Sequence, residues 1–265
     1  MSMHIGVSNY TWPWAVGREG YEPKKPLDAK ALVELAHRFE VPVLQIADKP
    51  VLHEMDDDEL HHFATYAAQL EITLEVGTRS IEPDHLLSYL RIAQKLKSKI
   101  LRSITYKLDS EAESWLKEVL PIYAETGVSI ALENHDEHGS KELADFIDRI
   151  GSPLLGVCLD TVNSFAALES PEIVVKTLAP FTLNLHIKDF DVVRAGHDLG
   201  FSIVGRPAGE GRLNIHWIIE QITKAGQDPN VILELWTPFT ESVEKTIEME
   251  AEWAERSLQN LRSII

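Results

Sequence analysis

Short apolar runs alternate along the chain with longer segments in which apolar residues recur every three or four positions. The short runs are rich in β-branched residues and predict buried strands, whereas the 3.6-residue period predicts amphipathic helices. The predicted strands are His4–Ser8, Val43–Ala47, Thr73–Gly77, Ile100–Thr105, Val128–Asn134, Leu154–Asp160, Leu183–Lys188 and Val231–Trp236. The predicted helices are Ala29–Phe39, Asp58–Leu70, Asp84–Leu96, Glu111–Glu125, Lys141–Ile150, Pro171–Leu178, Ile215–Ala225 and Val243–Leu261.

The strict alternation of strand and helix predicts parallel strands joined by right-handed crossovers. Eight such units close into a (β/α)8 TIM barrel, and the 265 residues fit the usual barrel size of about 250. A doubly wound open sheet is the alternative fold, but neither G-x-G-x-x-G nor a P-loop pattern follows the first strand. We therefore expect a single α/β domain that spans residues 1–265.

Each of the last four predicted strands carries one acidic or imidazole side chain near the end of its apolar run. A buried carboxylate is costly unless something neutralises it, and a divalent cation does so well. Taken singly, each residue could be structural: a glutamate could pair with Arg102 or Lys188, and a histidine could be a satisfied core residue. The four side chains are Glu133 in SIALEN, Asp160 in LGVCLDT, His186 in LNLHIKD and Glu234 in VILELW.

These four side chains are expected to share one ion. Alternate residues of a barrel strand point inward, and active sites of barrels lie at the carboxyl ends of the strands. Three carboxylates and one imidazole suit Mn²⁺, Mg²⁺, Co²⁺ or Zn²⁺, and the sequence does not choose among these ions. The predicted metal ligands are Glu133, Asp160, His186 and Glu234.

Other side chains near the strand ends are candidate substrate contacts. Lys188 and His135 each lie two residues beyond a predicted ligand on the same face, and Asn163 follows the sixth strand. Lys188 could hold a substrate oxyanion or could pair with a carboxylate. Trp12 and Trp236 could form the apolar wall of a sugar pocket, or an aromatic side chain here could belong to an oligomer contact.

The connection between the seventh strand and its helix is much longer than the others. It runs from Asp189 to Leu213 and contains five glycines. We expect a functional loop, and the alternative is a flexible surface loop without a function. Its Arg194, His197 and Arg206 would form a cationic cluster that favours an anionic substrate, unless they are solvated surface charges.

Several short motifs resemble the xylose isomerase-like TIM-barrel superfamily of sugar isomerases and epimerases. They are ALEN in the fifth strand, LDTVN in the sixth, HIKD in the seventh and GEGRLN before the next helix, and the resemblance extends from GVSNYTW to ELW. It implies that the four predicted ligands are the shared metal ligands, and that Glu133 and Glu234 are the acid–base pair of the epimerase branch. Members that repair abasic DNA have further histidines, and this sequence departs from them because Asn163 stands where such a ligand is expected.

The leading hypothesis is a metal-dependent isomerase or epimerase of a small keto-sugar or sugar acid. The metal would polarise the carbonyl group, while Glu133 and Glu234 would act as base and acid through an enediolate. The same chemistry suits a lyase of the superfamily, namely a decarboxylase or dehydratase of an oxo-sugar acid, and the cationic loop favours this alternative. A non-catalytic sugar-binding barrel is a third class. In each case the expected partner is a small polyhydroxy carbonyl compound, either neutral or anionic.

Charge and composition narrow the function further. The net charge of −17 opposes nucleic acid as a partner, because binding to phosphates depends on lysine and arginine. The sequence has no apolar stretch that approaches the roughly 18 residues of a membrane span. The single Cys158 and the early start of the first strand fit an unprocessed cytoplasmic protein. A homo-oligomer fits this kind of barrel, although the sequence does not identify the contact surface.

Overall fold

The computed structural model describes residues 3–136, 138–196 and 199–265. Its strands are β1 (Ile5–Ser8), β2 (Val43–Ala47), β3 (Thr73–Arg79), β4 (Ile100–Ile104), β5 (Ser129–Glu133), β6 (Leu155–Asp160), β7 (Thr182–Ile187), β8 (Asp189–Arg194), β9 (Phe201–Arg206) and β10 (Asn230–Leu233). Within this described part of the chain, eight parallel strands close into a barrel in the order β1-β10-β7-β6-β5-β4-β3-β2. The predicted TIM barrel is confirmed.

Helices surround the barrel and connect its strands. They are α1 (Pro13–Val16), α2 (Ala29–Arg38), α3 (Asp57–Gln69), α4 (Pro83–Lys95), α5 (Ser110–Thr126), α6 (Ser140–Ile150), α7 (Pro171–Leu178), α8 (Ile215–Lys224) and α9 (Val243–Ile264). The main hydrophobic core lies between these helices and the outward side chains of the strands, such as Ile130 and Leu132 of β5, which are both fully buried. Among the described residues, no helix combines the length and the apolar character that a membrane crossing requires.

The inside of the barrel leaves room for long polar side chains. Gly77, Arg102, Ala131 and Gly156 are register partners across β3, β4, β5 and β6. Because Arg102 is flanked by a glycine and an alanine at its own level, its side chain has space to extend inside the barrel, where it is 3% exposed. The barrel interior is therefore built to hold charge as well as apolar side chains.

The long connection after β7 is an ordered hairpin rather than the loop expected from the sequence. Strands β8 and β9 pair antiparallel, and the Asp189 carboxylate fixes the base of this hairpin. Its Oδ1 accepts the backbone N–H groups of Phe190 and Leu213 at 2.7 and 3.0 Å, and its Oδ2 accepts those of Gly209 and Gly211 at 2.9 and 3.0 Å. A Cβ at Gly211 would collide with the Asp189 carboxylate, which explains the glycine of the GEGRLN motif.

A buried carboxylate on α9 holds α1 at the mouth of the barrel. Glu250 is fully buried and accepts the backbone N–H groups of Trp14 and Ala15 at 2.9 and 3.0 Å. Burial raises the pKa of Glu250 to about 8, although these two hydrogen bonds oppose the rise. The position of α1 therefore depends on a carboxyl group that titrates near neutral pH.

The pKa of Glu250 predicts a specific dependence of stability on pH. Between a pKa of about 4.3 in the unfolded chain and about 8 in the folded protein, the folded state binds the extra proton. Stability therefore decreases as the pH rises through this window, by at most roughly 1.4 kcal/mol per pH unit. Glu250→Gln should remove this dependence on pH. It should also lower the free energy of unfolding by an amount that does not vary with pH, because the amide cannot accept both backbone N–H groups.

Urea unfolding of wild type and Glu250→Gln at pH 5, 6.5 and 8 measures the effect. The difference in unfolding free energy between the two proteins should shift in favour of the variant as the pH rises. Glu248→Gln, an exposed change on the same helix, should give a pH profile parallel to that of wild type. A parallel profile for Glu250→Gln as well would contradict the prediction.

Candidate metal centre

Four inward side chains meet at the carboxyl end of the barrel. His186 Nδ1 lies 3.7 Å from Glu133 Oε2, 4.0 Å from Asp160 Oδ2 and 3.4 Å from Glu234 Oε1. All four residues are buried, with exposures of 3% or less. The barrel register contributes directly, because Asp160 and His186 are partners between β6 and β7. The structure thus brings together the four side chains that the sequence singled out.

The donor set of this cluster fits a divalent cation. Ligand atoms of Asp160, His186 and Glu234 lie within 4.8 Å of one another, and Glu133, Cys158 and His186 form an overlapping group. His186 Nδ1 is buried and has no hydrogen-bond partner among the described residues, although three carboxylates face it. An oxygen-rich set with one imidazole suits several divalent ions, so the identity of the ion stays a prediction.

Two buried cations accompany the three carboxylates. Lys188 Nζ lies 2.8 Å from Asp160 Oδ2 and 2.9 Å from Glu234 Oε2. Burial alone would lower the pKa of Lys188, but these carboxylates raise it above its usual range, so the amine is an ammonium. Arg102 donates from Nε to the Glu133 carboxylate and from Nη1 to the Thr78 carbonyl at 3.2 Å.

Glu133 is held firmly in its ionised form. Arg102 donates to Oε2, and Asn163 Nδ2 donates to Oε1 at 2.7 Å. Burial would raise the pKa of Glu133, but the charges of Arg102 and Lys188 and the hydrogen bond from Arg102 lower it below its usual range. Glu133 is consequently a weak base at neutral pH.

The LDTVN and ALEN motifs position Asp160. The backbone N–H groups of Val162 and Asn163 both donate to Asp160 Oδ1 at 2.9 Å, which fixes the turn after β6. The Asn134 side chain accepts the Asp160 N–H at 2.8 Å and donates to the Asp160 carbonyl at 2.9 Å. These asparagines join the ends of β5 and β6, so the carboxylate is aimed before any ligand binds.

A cavity of about 450 Å³ opens at the carboxyl ends of β1, β2 and β3, and the described residues that line it include none of the four predicted ligands. Its lining includes Tyr10, Asp48 and Arg79, in which the Tyr10 hydroxyl and Arg79 Nε both donate to Asp48 Oδ2, at 2.5 and 2.9 Å. The Tyr10 carbonyl accepts the N–H of Leu235 at 2.9 Å, so the cavity wall lies one residue from Glu234 in the chain. Metal ligands and cavity therefore occupy opposite halves of the same rim.

The structure places two predicted substrate contacts, Lys188 and Asn163, at the cluster. Lys188 and Asn163 contact its carboxylates directly, as described above. Trp236 is half-buried just beyond β10, and Gly205 of the hairpin packs against its backbone so closely that a Cβ would collide with it. His135 lies farther out, beyond β5, with Nδ1 3.5 Å from Asp136 Oδ2.

The structure contradicts the expected role of Trp12 and divides the expected cationic cluster, whereas the predicted substrate contact of Arg206 stays a prediction. Trp12 is 3% exposed and stacks on Phe39 in the hydrophobic core, so it does not line a pocket. Arg206 lies at the base of the hairpin, 3.5 Å from Asp191, and its register partner is Asp189. Arg194 lies five residues along the strand, about 17 Å away, against the ring of Phe201.

The cationic cluster expected in the long connection is therefore split between the two ends of the hairpin. His197 lies outside the described residues, so its predicted substrate contact stays a prediction.

Sequence reasoning missed several buried polar residues that support the cluster. Gln45 in VLQIA and Glu75 in TLEVG carry the same signal as the ligands, a polar side chain in an apolar strand. The sequence indicates Arg102 in ILRSI only as a structural partner of a strand glutamate. The sequence pattern marks such positions but does not distinguish a metal ligand from the residue that orients it.

Comparison with known proteins places this geometry in a family. Residues 13–264 match the family described as xylose isomerase-like TIM barrel. The chain belongs to this family. The resemblance seen in the sequence motifs is thereby confirmed.

Individual relatives differ in how similar they are. The chain is 34% identical over 264 residues to the 3-oxo-isoapionate decarboxylase of Pectobacterium atrosepticum, covering 98% of this chain and 95% of that protein. The D-psicose 3-epimerase structure from Clostridium cellulolyticum H10 superposes with a TM-score of 0.75 at 18% identity, over 99% of both chains. A xylose isomerase-like barrel from Mycobacterium smegmatis in complex with magnesium gives a TM-score of 0.66 at 13% identity, over 98% of both chains. At these identities, the two structures show the shared fold alone.

Removal of the imidazole should separate metal binding from folding. His186→Ala leaves three carboxylates facing two buried cations, and we expect divalent-metal affinity to fall by more than about 100-fold. Titration calorimetry with Mn²⁺ and metal analysis after dialysis measure this loss. The matched control is His216→Ala, an exposed change on α8, which should bind metal as wild type does. Equal affinity of the two variants would remove His186 from the site.

Proposed function

We propose that this protein is a metal-dependent carbon–carbon lyase that removes CO₂ from a 3-oxo sugar acid. The 34% identity to a 3-oxo-isoapionate decarboxylase extends over nearly the full length of both proteins and supports this reaction class. The isomerase or epimerase reaction, the leading hypothesis from the sequence, remains the alternative that the experiment below must exclude.

The observation that carries the proposal is the state of Glu133. An epimerase that uses the two glutamates as a proton shuttle needs each of them to accept a proton from carbon. Both oxygens of Glu133 already accept hydrogen bonds, from Arg102 and from Asn163, and the charge of Arg102 lowers the pKa of this carboxyl group. Decarboxylation requires no such base, because the electron pair comes from the carbon–carbon bond that breaks.

The charges of the site also favour an acid as substrate. Three carboxylates and the two cations Arg102 and Lys188 carry one net negative charge, which a bound dication would convert to one net positive charge. A buried site with a single positive charge suits a monoanion better than a neutral ketose. The charge of the site therefore favours an anionic substrate without any contribution from the cationic cluster predicted in the long connection.

Glu133, Asp160, His186 and Glu234 would hold the cation. When bound, it would supply a Lewis acid that draws electron density toward the C3 carbonyl oxygen of the substrate. The C1–C2 bond breaks, C1 leaves as CO₂, and its electron pair forms the enolate across C2 and C3. We assign the return of a proton to C2 to Lys188, whose ammonium lies at the cluster and carries the proton on Nζ. The product is a ketose with one carbon fewer.

The polyhydroxy part of the substrate would occupy the cavity beside β1, β2 and β3. Its wall combines the aromatic side chains of Tyr10 and Trp14 with the charged pair of Arg79 and Asp48. Aromatic faces pack against sugar carbons, and paired charges bind hydroxyl groups. Arg79 is well placed for this because its side chain remains 44% exposed.

The decisive experiment follows carbon and hydrogen together. Wild-type protein with Mn²⁺ or Mg²⁺ is given 3-oxo sugar acids, including 3-oxo-isoapionate, and neutral ketoses in D₂O. We expect CO₂ release from the acids, with one solvent deuterium at the carbon that lost the carboxylate, and no turnover of the ketoses. The chelated protein and His186→Ala should release no CO₂ above background. Epimerisation or deuterium exchange without loss of carbon would overturn the proposal and support the epimerase.

Arg79 should affect substrate binding more than the chemical step. Arg79→Met removes the charge beside the cavity, and we expect KM to rise roughly tenfold with kcat within about twofold of wild type, since the residue lies on the half of the rim opposite the ligands. Steady-state kinetics of CO₂ release measure this. Arg91→Met, which breaks a surface pair with Asp57 on the outside of the barrel, is the control and should leave both constants unchanged. A fall in kcat without a change in KM would contradict the assigned role.

A further inference from the structure

A second carboxylate lies inside the barrel, away from the metal ligands. Glu75 is 3% exposed, and amide groups surround it. Its Oε2 accepts from Asn184 Nδ2 at 2.8 Å and from Gln45 Nε2 at 3.0 Å, and its Oε1 accepts from Asn230 Nδ2 at 2.7 Å. Three N–H donors thus satisfy this carboxylate.

The carboxylate fixes the orientation of the amides around it. Asn184 must direct its NH₂ group at Glu75, so its Oδ1 is the atom that faces Gln45. Gln45 Nε2 then donates to two acceptors, Glu75 Oε2 and Asn184 Oδ1, each at 3.0 Å. A flipped Gln45 would place its oxygen against both of these acceptors, which would leave three oxygens facing one another.

The orientation of Gln45 in turn fixes the proton on His186. Gln45 Oε1 lies 2.8 Å from His186 Nε2 and can only accept, so Nε2 must carry the hydrogen. In a neutral imidazole with its proton on Nε2, the lone pair belongs to Nδ1. That nitrogen faces the carboxylates of Glu133, Asp160 and Glu234 at 3.4 to 4.0 Å.

We propose that Gln45, oriented by Glu75, is a positioning residue that keeps the proton of His186 on Nε2 and presents Nδ1 as the metal donor. This inference rests on the metal site of the proposed function. The three carboxylates facing Nδ1 oppose Gln45, because they favour a proton on that nitrogen. Without the acceptor at Gln45, the imidazole would donate from Nδ1 to a carboxylate, and the metal would have to displace that proton.

The first test identifies the nitrogen that binds metal. Wild-type protein labelled with ¹⁵N-histidine is loaded with ¹¹³Cd²⁺, and the ¹¹³Cd–¹⁵N coupling is observed by NMR. We expect coupling to Nδ1 of His186 and a hydrogen-bonded proton on Nε2. Coupling through Nε2 would overturn the proposal without any variant. An absence of bound cadmium would instead mean that the metal site itself, and with it the proposed function, is wrong.

The second test measures how much the hydrogen-bonded chain of Glu75, Gln45 and His186 contributes to cadmium affinity. Gln45→Met removes the acceptor at similar volume, and cadmium affinity should fall roughly 10- to 100-fold, as is usual when the outer partner of a ligating histidine is lost. Glu75→Gln should weaken binding in the same direction without touching His186, because a neutral amide at 75 allows Gln45 to flip. This second variant keeps the test decisive if Gln45→Met does not fold.

The matched control is Asn230→Ser. Asn230 donates to the other oxygen of Glu75, so its loss disturbs the same polar interior, while the contacts of Gln45 with Glu75, Asn184 and His186 stay in place. We expect its cadmium affinity to remain within about threefold of wild type, with the coupling still at Nδ1. If both Gln45→Met and Glu75→Gln bind cadmium as tightly as wild type, the proposed role of Gln45 is wrong. The metal site and the proposed function would not be affected by that result.

Discussion

Three carboxylates buried around one imidazole nitrogen are the constraint to which the rest of the barrel interior responds. Such a group is unstable unless cations and N–H donors surround it. Arg102 and Lys188 provide the charge, Asn163 and the turn after β6 provide donors, and Gln45 keeps a proton away from the nitrogen at the centre. The small residues beside Arg102 also contribute to this stabilisation, because they make room for a guanidinium group inside the barrel.

The sequence was sufficient for the architecture and for the identity of the clustered residues. Strand–helix alternation follows from hydrophobic period alone, and a charged residue in an apolar strand is a strong local signal that the barrel then gathers at one end. His186 and Asp160 illustrate this, since each is near the end of its own strand and the register pairs them. The confirmed fold and the convergence of the four side chains therefore follow from local sequence patterns and from one general rule, namely that the carboxyl ends of all barrel strands lie at the same end of the barrel.

Other features depend on contacts that local patterns do not encode. The hairpin of β8 and β9 has glycines and mixed polarity, so its sequence is typical of a loop, and the order comes from four backbone N–H bonds to Asp189. Trp12 follows a strand, as pocket residues often do, yet it turns into the core because Phe39 provides a stacking partner. The chemical role of Glu133 is likewise invisible in sequence, because its basicity is set by Arg102 from another strand.

The manner in which Asp189 anchors the hairpin has a consequence for how such a protein can diversify. The anchor recognises main-chain amides, which every residue except proline possesses, so it is indifferent to the side chains between the two ends of β8 and β9. Where the described part of the hairpin meets the barrel, Gly205 and Gly211 are sterically required to remain small. Evolution could therefore rewrite the intervening segment, while the chemistry at the strand ends is inherited unchanged.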